Sequence, residues 1–429
     1  MDERQHAVCA AVDALRREMV ETLQAFIRVP TVNPPGHGYE EFVAQARGLL
    51  DRLGYATDVV RVPDELLPVL APLGDGLPRP ILLARLDGPL GPGFRLHLNG
   101  HYDVVPAGHD WTHDPFGGEL VNGRIYGRGA CDMKSGLVAQ IYAVEALRRA
   151  GVDWAGEVTQ SFVPDEETVG NRNAGTGFLV EHGMISRENT DGVIITEPFG
   201  LDGIGVGHKG ALWGAFTLYG KQAHGSAPHL GVNAVELAAR LLCRAEAELK
   251  PLLRQRRTEL LLATPGTETA TLSFDTINGG VATNVIPDRC TVTFNRRLVP
   301  PETLDQARQE LFTLLEALRL EEPRLRWSYE ERYATPPTLV DEREPLVQAA
   351  ARAIRELGMT PRVMISAGSH DQRFVVHGAG ITNSILYGPA SNGTSHQSDE
   401  YVEVDELLTG TKVLALILLD VLRPVAPRD

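Results

Sequence analysis

The sequence predicts an α/β protein: a layered domain built on a mostly parallel sheet, with an α+β domain of ferredoxin-like pattern inserted into it. Three observations lead there. Up to residue 207, short apolar runs alternate with amphipathic segments, as strands and helices do in a layered α/β domain. From 208 to 332 the order becomes strand-helix-strand-strand-helix-strand, a split βαβ pattern. From residue 333 to 429 the first pattern resumes.

The elements follow in order. Val12, Leu15, Met19, Leu23 and Phe26 recur every three or four residues, so 5–28 reads as an amphipathic helix that stops at Pro30. VPTVNPPG is loop chemistry, and 39–53 is a second helix closed by Gly54. ATDVVRV, ILLARL and FRLHLNGH read as strands, the last two joined across DGPLGPG as a hairpin or loose turn. Residues 135–150 are helical, EVTQSFVPDEE and GVIITEP are strands that end in acids, and GTGFLVEHG is a short helix between them. In the insert, ALWGAFTLYG, TATLSFDTINGG, RCTVTFNRRL and RLRWSYEERY are strands, while NAVELAARLLCRAEAEL and PETLDQARQELFTLLEALR are helices. After it come a helix at 344–357, the strand RVMIS, a helix around 371–377, the strand TNSILYG and a last helix over 404–423.

Composition narrows the function classes. The 429 residues carry 41 Lys plus Arg against 56 Asp plus Glu, a net charge of −15, which argues against nucleic acid or an anionic membrane as the main partner. The apolar run Val413 to Leu419 is far short of the roughly 20 residues of a membrane span. The N-terminus is charged from its second residue and lacks a signal-peptide core. Cys9, Cys131, Cys243 and Cys290 are scattered with no CxxC pair, which suits free thiols in a reducing compartment. A cytoplasmic protein is expected.

Acids and histidines gather at the ends of the expected strands. FRLHLNGHYDVVPAG carries His101 and Asp103, GRGACDMKSG carries Asp132, SFVPDEETVGN carries Glu166 and Glu167, VIITEPFG carries Glu197 and GTSHQSDEY carries His396. In open α/β sheets, ligands bind beyond the carboxyl ends of the strands. Two histidines with three or four carboxylates form the donor set that a pair of divalent metals requires, with one carboxylate shared between them. Asp103 stands two residues after His101, so on a strand it would share its face and could orient the imidazole.

HYDVVPAG, GRGACDMKSG, PDEET, TEP, GKQAHGSAPHLGVNA, TNVIP and SHQSDEY follow one another as the motifs of a known family do. From about residue 15 to 425 the chain resembles the di-zinc amidohydrolases and peptidases: acetylornithine deacetylase, succinyl-diaminopimelate desuccinylase, aminoacylase and glutamate carboxypeptidase. The resemblance implies a catalytic domain over 1–207 and 333–429, with a lid and dimerisation domain over 208–332. It implies that His101 and Glu197 hold one metal, that Glu167 and His396 hold the other, and that Asp132 bridges them. Glu166 would be the general base and Asp103 the partner of His101. The cofactor would be two divalent ions per chain, zinc by the ligand set, with cobalt or manganese also accepted.

The same resemblance assigns substrate binding to His224 of GKQAHGSAP, to Asn284 of TNVIP and to an arginine of FNRR. Arg297 fits by spacing and Arg296 is its rival; an arginine's planar fork suits a carboxylate. The expected reaction is hydrolysis of the amide bond of an N-acyl amino acid, on a small carboxylated substrate, by a homodimer. A dipeptidase or carboxypeptidase with the same site, a hydrolase of another C–N bond, and a non-catalytic metal-binding relative are the alternatives. AGSHDQRF departs from the family's usual glycine- and threonine-rich segment at His370, which reads as a loop residue rather than a specificity contact.

Two features are set aside. Gly205, Gly207 and Gly210 spell G-x-G-x-x-G, but the residues that follow alternate as a strand, and a dinucleotide fingerprint must open a helix. Cys131 beside Asp132 has no evident base, and packing explains it.

Overall fold

The computed structural model describes residues 1–423 except 169, 171, 391 and 392, so the last six residues of the expected 333–429 segment lie outside the described residues. The chain divides into two compact units. One comprises Met1–Gly207, Val340–Met364 and His370–Asp429; the other comprises His208–Leu339 and Ile365–Ser369.

The first unit is built on a large mixed sheet. Its strands lie in the order Ala56–Arg61, Pro80–Asp87, Glu157–Val163, Arg95–His101, Gly192–Ile195, Ser384–Leu386 and Gly203–His208. The four central strands of this run, from Glu157–Val163 to Ser384–Leu386, pair in parallel. Antiparallel pairs flank them on both sides. Of the two expectations for DGPLGPG, the loose turn forms and the hairpin does not. Glu157–Val163 lies between the two strands instead, antiparallel to Pro80–Asp87 and parallel to Arg95–His101. That strand is buried along most of its length, and only a central position covers both of its faces.

The two faces of Arg95–His101 are covered differently. The Leu96 and Leu98 side is packed by the helix Lys134–Arg149, whose residues 134–147 are all buried. The other side carries His97 and Asn99, which bond to Ser161 and Thr176. Beyond it, Val163, Phe178, Leu179, Val193 and Ile195 form a second apolar cluster. The expected N-terminal helix is two segments, Glu3–Ala14 and Arg16–Ile27, meeting at Leu15, whose N–H is shared between the Ala11 and Val12 carbonyls. The expected helix around 371–377 closes as one wide turn over Phe374–Gly378.

In the second unit, strands Thr271–Gly279, Arg289–Leu298, Gly210–Tyr219 and Arg326–Thr335 form a four-stranded sheet in that order. All its pairs are antiparallel. With helices Ala234–Arg244 and Leu304–Glu321 inserted between strands, this is the ferredoxin-like connectivity. The helices bury Leu237, Leu241, Leu311 and Leu315 in one core with Phe216, Val292 and Phe294 of the sheet. The insert does not end at 332. Its last strand runs to Thr335, paired with Ala211, so the unit closes at Leu339. Gly210 opens a strand, and no helix follows the G-x-G-x-x-G run.

Candidate metal centre

Three adjacent parallel strands deliver the centre from their carboxyl ends. His101 closes Arg95–His101 in register with Val163, and Asn99 is in register with Ile195. The turn carrying Glu166 and Glu167 follows Val163 directly, and Glu197 stands two residues after Ile195. Parallel pairing therefore places all three acid-bearing segments at one edge of the sheet.

Asp132 arrives from a different element. It precedes the helix Lys134–Arg149, which meets the segment after Ile195 so closely that a Cβ on Gly136 would collide with the Thr196 carbonyl oxygen. Glycine at 136 permits this approach, which brings Asp132 beside Glu197. His396 lies in the loop before strand Tyr401–Glu403, which pairs antiparallel with Arg124–Tyr126. Asp165, just before Glu166, and His396 both adopt left-handed backbone, at φ 65° and 64°. Such conformations persist where surrounding bonds impose them, often at functional sites.

The side chains converge. His101 Nε2 stands 3.3 Å from Asp132 Oδ1 and 3.5 Å from Glu197 Oε1. His396 Nε2 donates to Glu167 Oε1 at 2.9 Å and stands 3.5 Å from Asp132 Oδ2. Asp132 thus faces one imidazole with each of its oxygens. Ligand atoms of His101, Glu166 and Glu197 lie within 4.8 Å of one another, and so do those of His101, Asp132 and Glu167.

His101 is fixed from behind. Its Nδ1 donates to the Asp103 backbone carbonyl at 2.9 Å, which leaves Nε2 turned toward the carboxylates. The Asp103 carboxylate is farther from Nδ1, at 3.5 Å. Its oxygens instead accept the backbone N–H groups of Glu166 and Glu167 at 3.2 Å each, and the Asn33 amide at 2.8 Å. The expected pairing of Asp103 with His101 therefore runs through the main chain, and the carboxylate shapes the next turn.

Crowded acids shift one another's protonation. Burial pushes Glu167 up to about 7, against the hydrogen bond from His396. Burial and the charge of Asp132 push Glu197 to about 7. Glu166 is raised well above the usual carboxylate range by burial and by Glu197. Bonds to Asp132 and Glu167 raise His396 to about 11. Burial opposes a charge on His101, yet Glu197, Asp103 and Asp132 together raise its pKa well above the usual value. Asp132 is held down by its two imidazoles in spite of its burial.

The set fits a pair of divalent cations. His101 Nε2 is buried with no hydrogen-bond partner among the described residues, and it is aimed at carboxylate oxygens. Imidazole nitrogen and carboxylate oxygen are the donors zinc accepts, and a cation would relieve the clustering of like charges.

Residues with no assigned role in the sequence reading surround the centre. Glu400 is fully buried and accepts the backbone N–H groups of Gly129, Cys131 and Asp132. Asp165 pairs with buried Arg79 at 2.7 Å and accepts from Tyr39 and Asn33. Glu400 stands in the SHQSDEY motif, and Asn33 in a stretch read only as loop. An acid beside the motif residues was the one signal that could have singled out Glu400. His370 is buried rather than looped into solvent, with its ring edge-on to Phe199.

The second unit holds the remaining expected residues in two places. His224 is exposed in a short strand paired with Val285–Ile286; its Nδ1 bonds to Ser226 Oγ at 2.7 Å, and Gly225 N donates to the Asn284 carbonyl. His224 and Asn284 are therefore neighbours. Arg296 and Arg297 point to opposite faces of strand Arg289–Leu298. Arg296 is buried on Glu302, with Glu310 3.6 Å away. Arg297 lies over the Trp213 ring at 5.2 Å and has no ion-pair partner among the described residues.

Known proteins resemble this chain in sequence and in fold. The model of peptidase family M20/M25/M40 matches residues 97–420. A succinyl-diaminopimelate desuccinylase of Methylobacterium radiotolerans is 33% identical over 404 residues, 92% of this chain and 94% of that one. Its counterpart in Dechloromonas aromatica is 35% identical over 316 residues, 72% of this chain and 78% of that one. In fold, an aminopeptidase of Bacillus cereus matches with a TM-score of 0.74 at 19% identity, covering 95% of this chain and 98% of its own. Human carnosine dipeptidase 1 matches with a TM-score of 0.67 at 22% identity, covering 97% and 99%.

Proposed function

This chain belongs to peptidase family M20/M25/M40, and on that premise we propose that its metal-dependent hydrolysis cuts the amide bond of an N-acyl amino acid. The observation that carries the reading is Asp132, which turns one oxygen to His101 and the other to His396. A bridging carboxylate needs that placement. His101 and Glu197 would hold one ion, Glu167 and His396 the other, and Asp132 both. Zinc suits these donors, and cobalt or manganese would be accepted. When bound, the pair would polarise the scissile carbonyl and make water a stronger acid near neutral pH.

The chain's own groups do the rest. Glu166 stands beside His101 and Glu197, and bound cations would offset the burial and like-charge crowding that raise its pKa, leaving it ionised to act as a base. It accepts the proton of the attacking water and returns it to the leaving amine. Asp103 holds the turn through the Glu166 and Glu167 amides, so the base keeps its place as its charge changes.

Arg297 is the substrate-carboxylate group in this reading. Its rival Arg296 is engaged by Glu302, whereas Arg297 has its fork on the other face of the strand. His224 and Asn284 would bind substrate from the same unit. The relatives named as desuccinylases support an N-succinyl amino acid as the first substrate to test.

The insert would serve as a lid and pair two copies. In support, Thr271–Gly279 is an edge strand of the four-stranded sheet. Light scattering at micromolar concentration tests this, and a monomer would count against it. Among the described residues no helix is long and apolar enough to cross a membrane. The four cysteines are free, which supports a cytoplasmic location.

The test of the reaction is a panel of N-succinyl, N-acetyl and N-formyl amino acids and dipeptides, run on metal-loaded protein with and without chelator. Chelator-sensitive release of one acyl class is expected. Metal binding with no turnover on any member would overturn the amide reading.

A further inference from the structure

Asp132 and His396 come from segments far apart in sequence, and one buried carboxylate stands between those segments. Glu400 Oε1 accepts three backbone amides at once: Gly129 N at 3.1 Å, Cys131 N at 2.9 Å and Asp132 N at 3.0 Å. Its other oxygen, Oε2, accepts from Arg128 Nη1 at 2.5 Å. Three amides can point at one oxygen only if residues 129–132 take this tight turn. Such a nest binds an anion, and here the anion is supplied by the chain itself.

The same contacts reach the loop of His396. Arg128 Nη1 also donates to the Gln397 carbonyl at 3.1 Å, next to His396. Gly127 N donates to the Glu400 carbonyl at 2.9 Å, continuing the pairing of Arg124–Tyr126 with Tyr401–Glu403. Glu400 thus fixes the amide end of Asp132 through its side chain, and the approach to His396 through its own backbone four residues later. Burial makes the arrangement demanding. A fully buried carboxylate needs every acceptor site filled, and a buried ion pair is weak evidence for stability in itself.

We infer that Glu400 is a positioning residue that sets the separation of Asp132 and His396 before any metal binds. It touches neither substrate nor ion, and it acts through the main chain of Asp132 and the Arg128 tie to Gln397. This deepens the proposed function, because it rests on Asp132 and His396 being metal ligands.

The test compares wild type with Glu400→Gln and Glu400→Ala. Zinc affinity and stoichiometry are read by competition with a chromophoric chelator, cobalt binding by its visible absorption, and the metal-free fold by thermal unfolding. Outer partners of metal ligands typically govern affinity by about 10–100-fold. Both variants should lose affinity in that range for the ion of Glu167 and His396, which both ties serve, and less for the ion of His101 and Glu197, which shares only Asp132; the alanine variant should lose more than the glutamine. The cobalt band of the Glu167 and His396 ion should change, and although the alanine variant also strands buried Arg128 and unfolds at a lower temperature, the two ions should be weakened unequally.

Wild-type affinity for both ions in Glu400→Ala would overturn the inference. So would equal weakening of both ions in step with a lower unfolding temperature, which a purely structural role predicts. If neither variant folds, Arg128→Lys carries the same prediction: it keeps a cation beside Glu400 but loses the planar guanidinium whose Nη2, on the Ala107 carbonyl, aims Nη1 at both Glu400 and the Gln397 carbonyl. Wild-type protein that binds no divalent metal would instead defeat the functional reading itself, and the chelator competition separates that result from the others.

Discussion

His396 Nε2 donates to Glu167 Oε1 at 2.9 Å, across 229 residues of sequence. The two sit on different supports. Glu167 rides the turn after a central strand, held by Asp103, and His396 rides a loop in left-handed backbone. Their meeting is a tertiary event, and it completes the donor set around Asp132.

Glu166→Gln should keep metal and lose turnover. The amide cannot take a proton from water, and general-base catalysis is typically worth about 10²–10⁴-fold. Elemental analysis should still find two ions per chain while kcat on the best acyl amino acid falls by that factor. Undiminished kcat would remove Glu166 from the mechanism.

Chelation should unfold the protein more easily as well as silence it. Without cations the carboxylates of Asp132, Glu166, Glu167 and Glu197 crowd one buried edge of the sheet. Ligand held at a thousand times its Kd stabilises by about 4 kcal/mol. Thermal unfolding with and without chelator should differ accordingly, and coincident curves would argue against a tight metal site.

Arg297 and Arg296 should fail in different ways. Arg297→Ala removes a fork with no ion-pair partner among the described residues, so it should raise KM for a carboxylated substrate by roughly 10–100-fold, the loss of a charged hydrogen bond, with little change in stability. Arg296→Ala takes one of two arginine partners from buried Glu302, which keeps Arg256, and should cost about 1.5–3 kcal/mol of stability, the loss of a charged hydrogen bond. Paired kinetics and denaturant titrations separate the two. An unchanged KM in Arg297→Ala would reopen the choice between them.

His97 should make the fold acid-sensitive. Burial holds its pKa at about 4 in the folded chain, against about 6.5 when unfolded. Below pH 6.5 the unfolded chain takes up a proton that the folded chain refuses. Stability from this group is therefore complete above pH 6.5 and is lost as pH falls toward 4, by roughly 3 kcal/mol. His97→Gln can still bond to Ser161 and should be free of this loss. The stability gap between the two proteins should shift in the variant's favour between pH 7 and 4.5. A constant gap would mean His97 stays protonated or exposed.

The parts of the fold legible in sequence are those in which burial is one-sided or complete. Alternation in ALWGAFTLYG and RCTVTFNRRL reports strands, and both form as expected, the second buried on alternate residues and the first along nearly its whole length. The helix Lys134–Arg149 starts one residue before its expected position. DGPLGPG is the loose turn and not the hairpin of the two forms expected, because strand identity carries no information about which strand is its neighbour. The insert runs past 332 because register with Gly210–Tyr219, not composition, carries its last strand to Thr335.

The sequence by itself determined which side chains could do chemistry here. His101, Asp132, Glu166, Glu167, Glu197 and His396 were named from residue types in glycine-rich strand-end contexts, and these are local properties. Tertiary structure alone decided that they meet. Parallel register aligned three strand ends, a glycine let one helix approach, and Asp103 and Glu400 gathered the amides of the turns that carry the acids. Those supporting roles were invisible beforehand because they depend on backbone N–H groups, which every sequence supplies and only a folded chain aims.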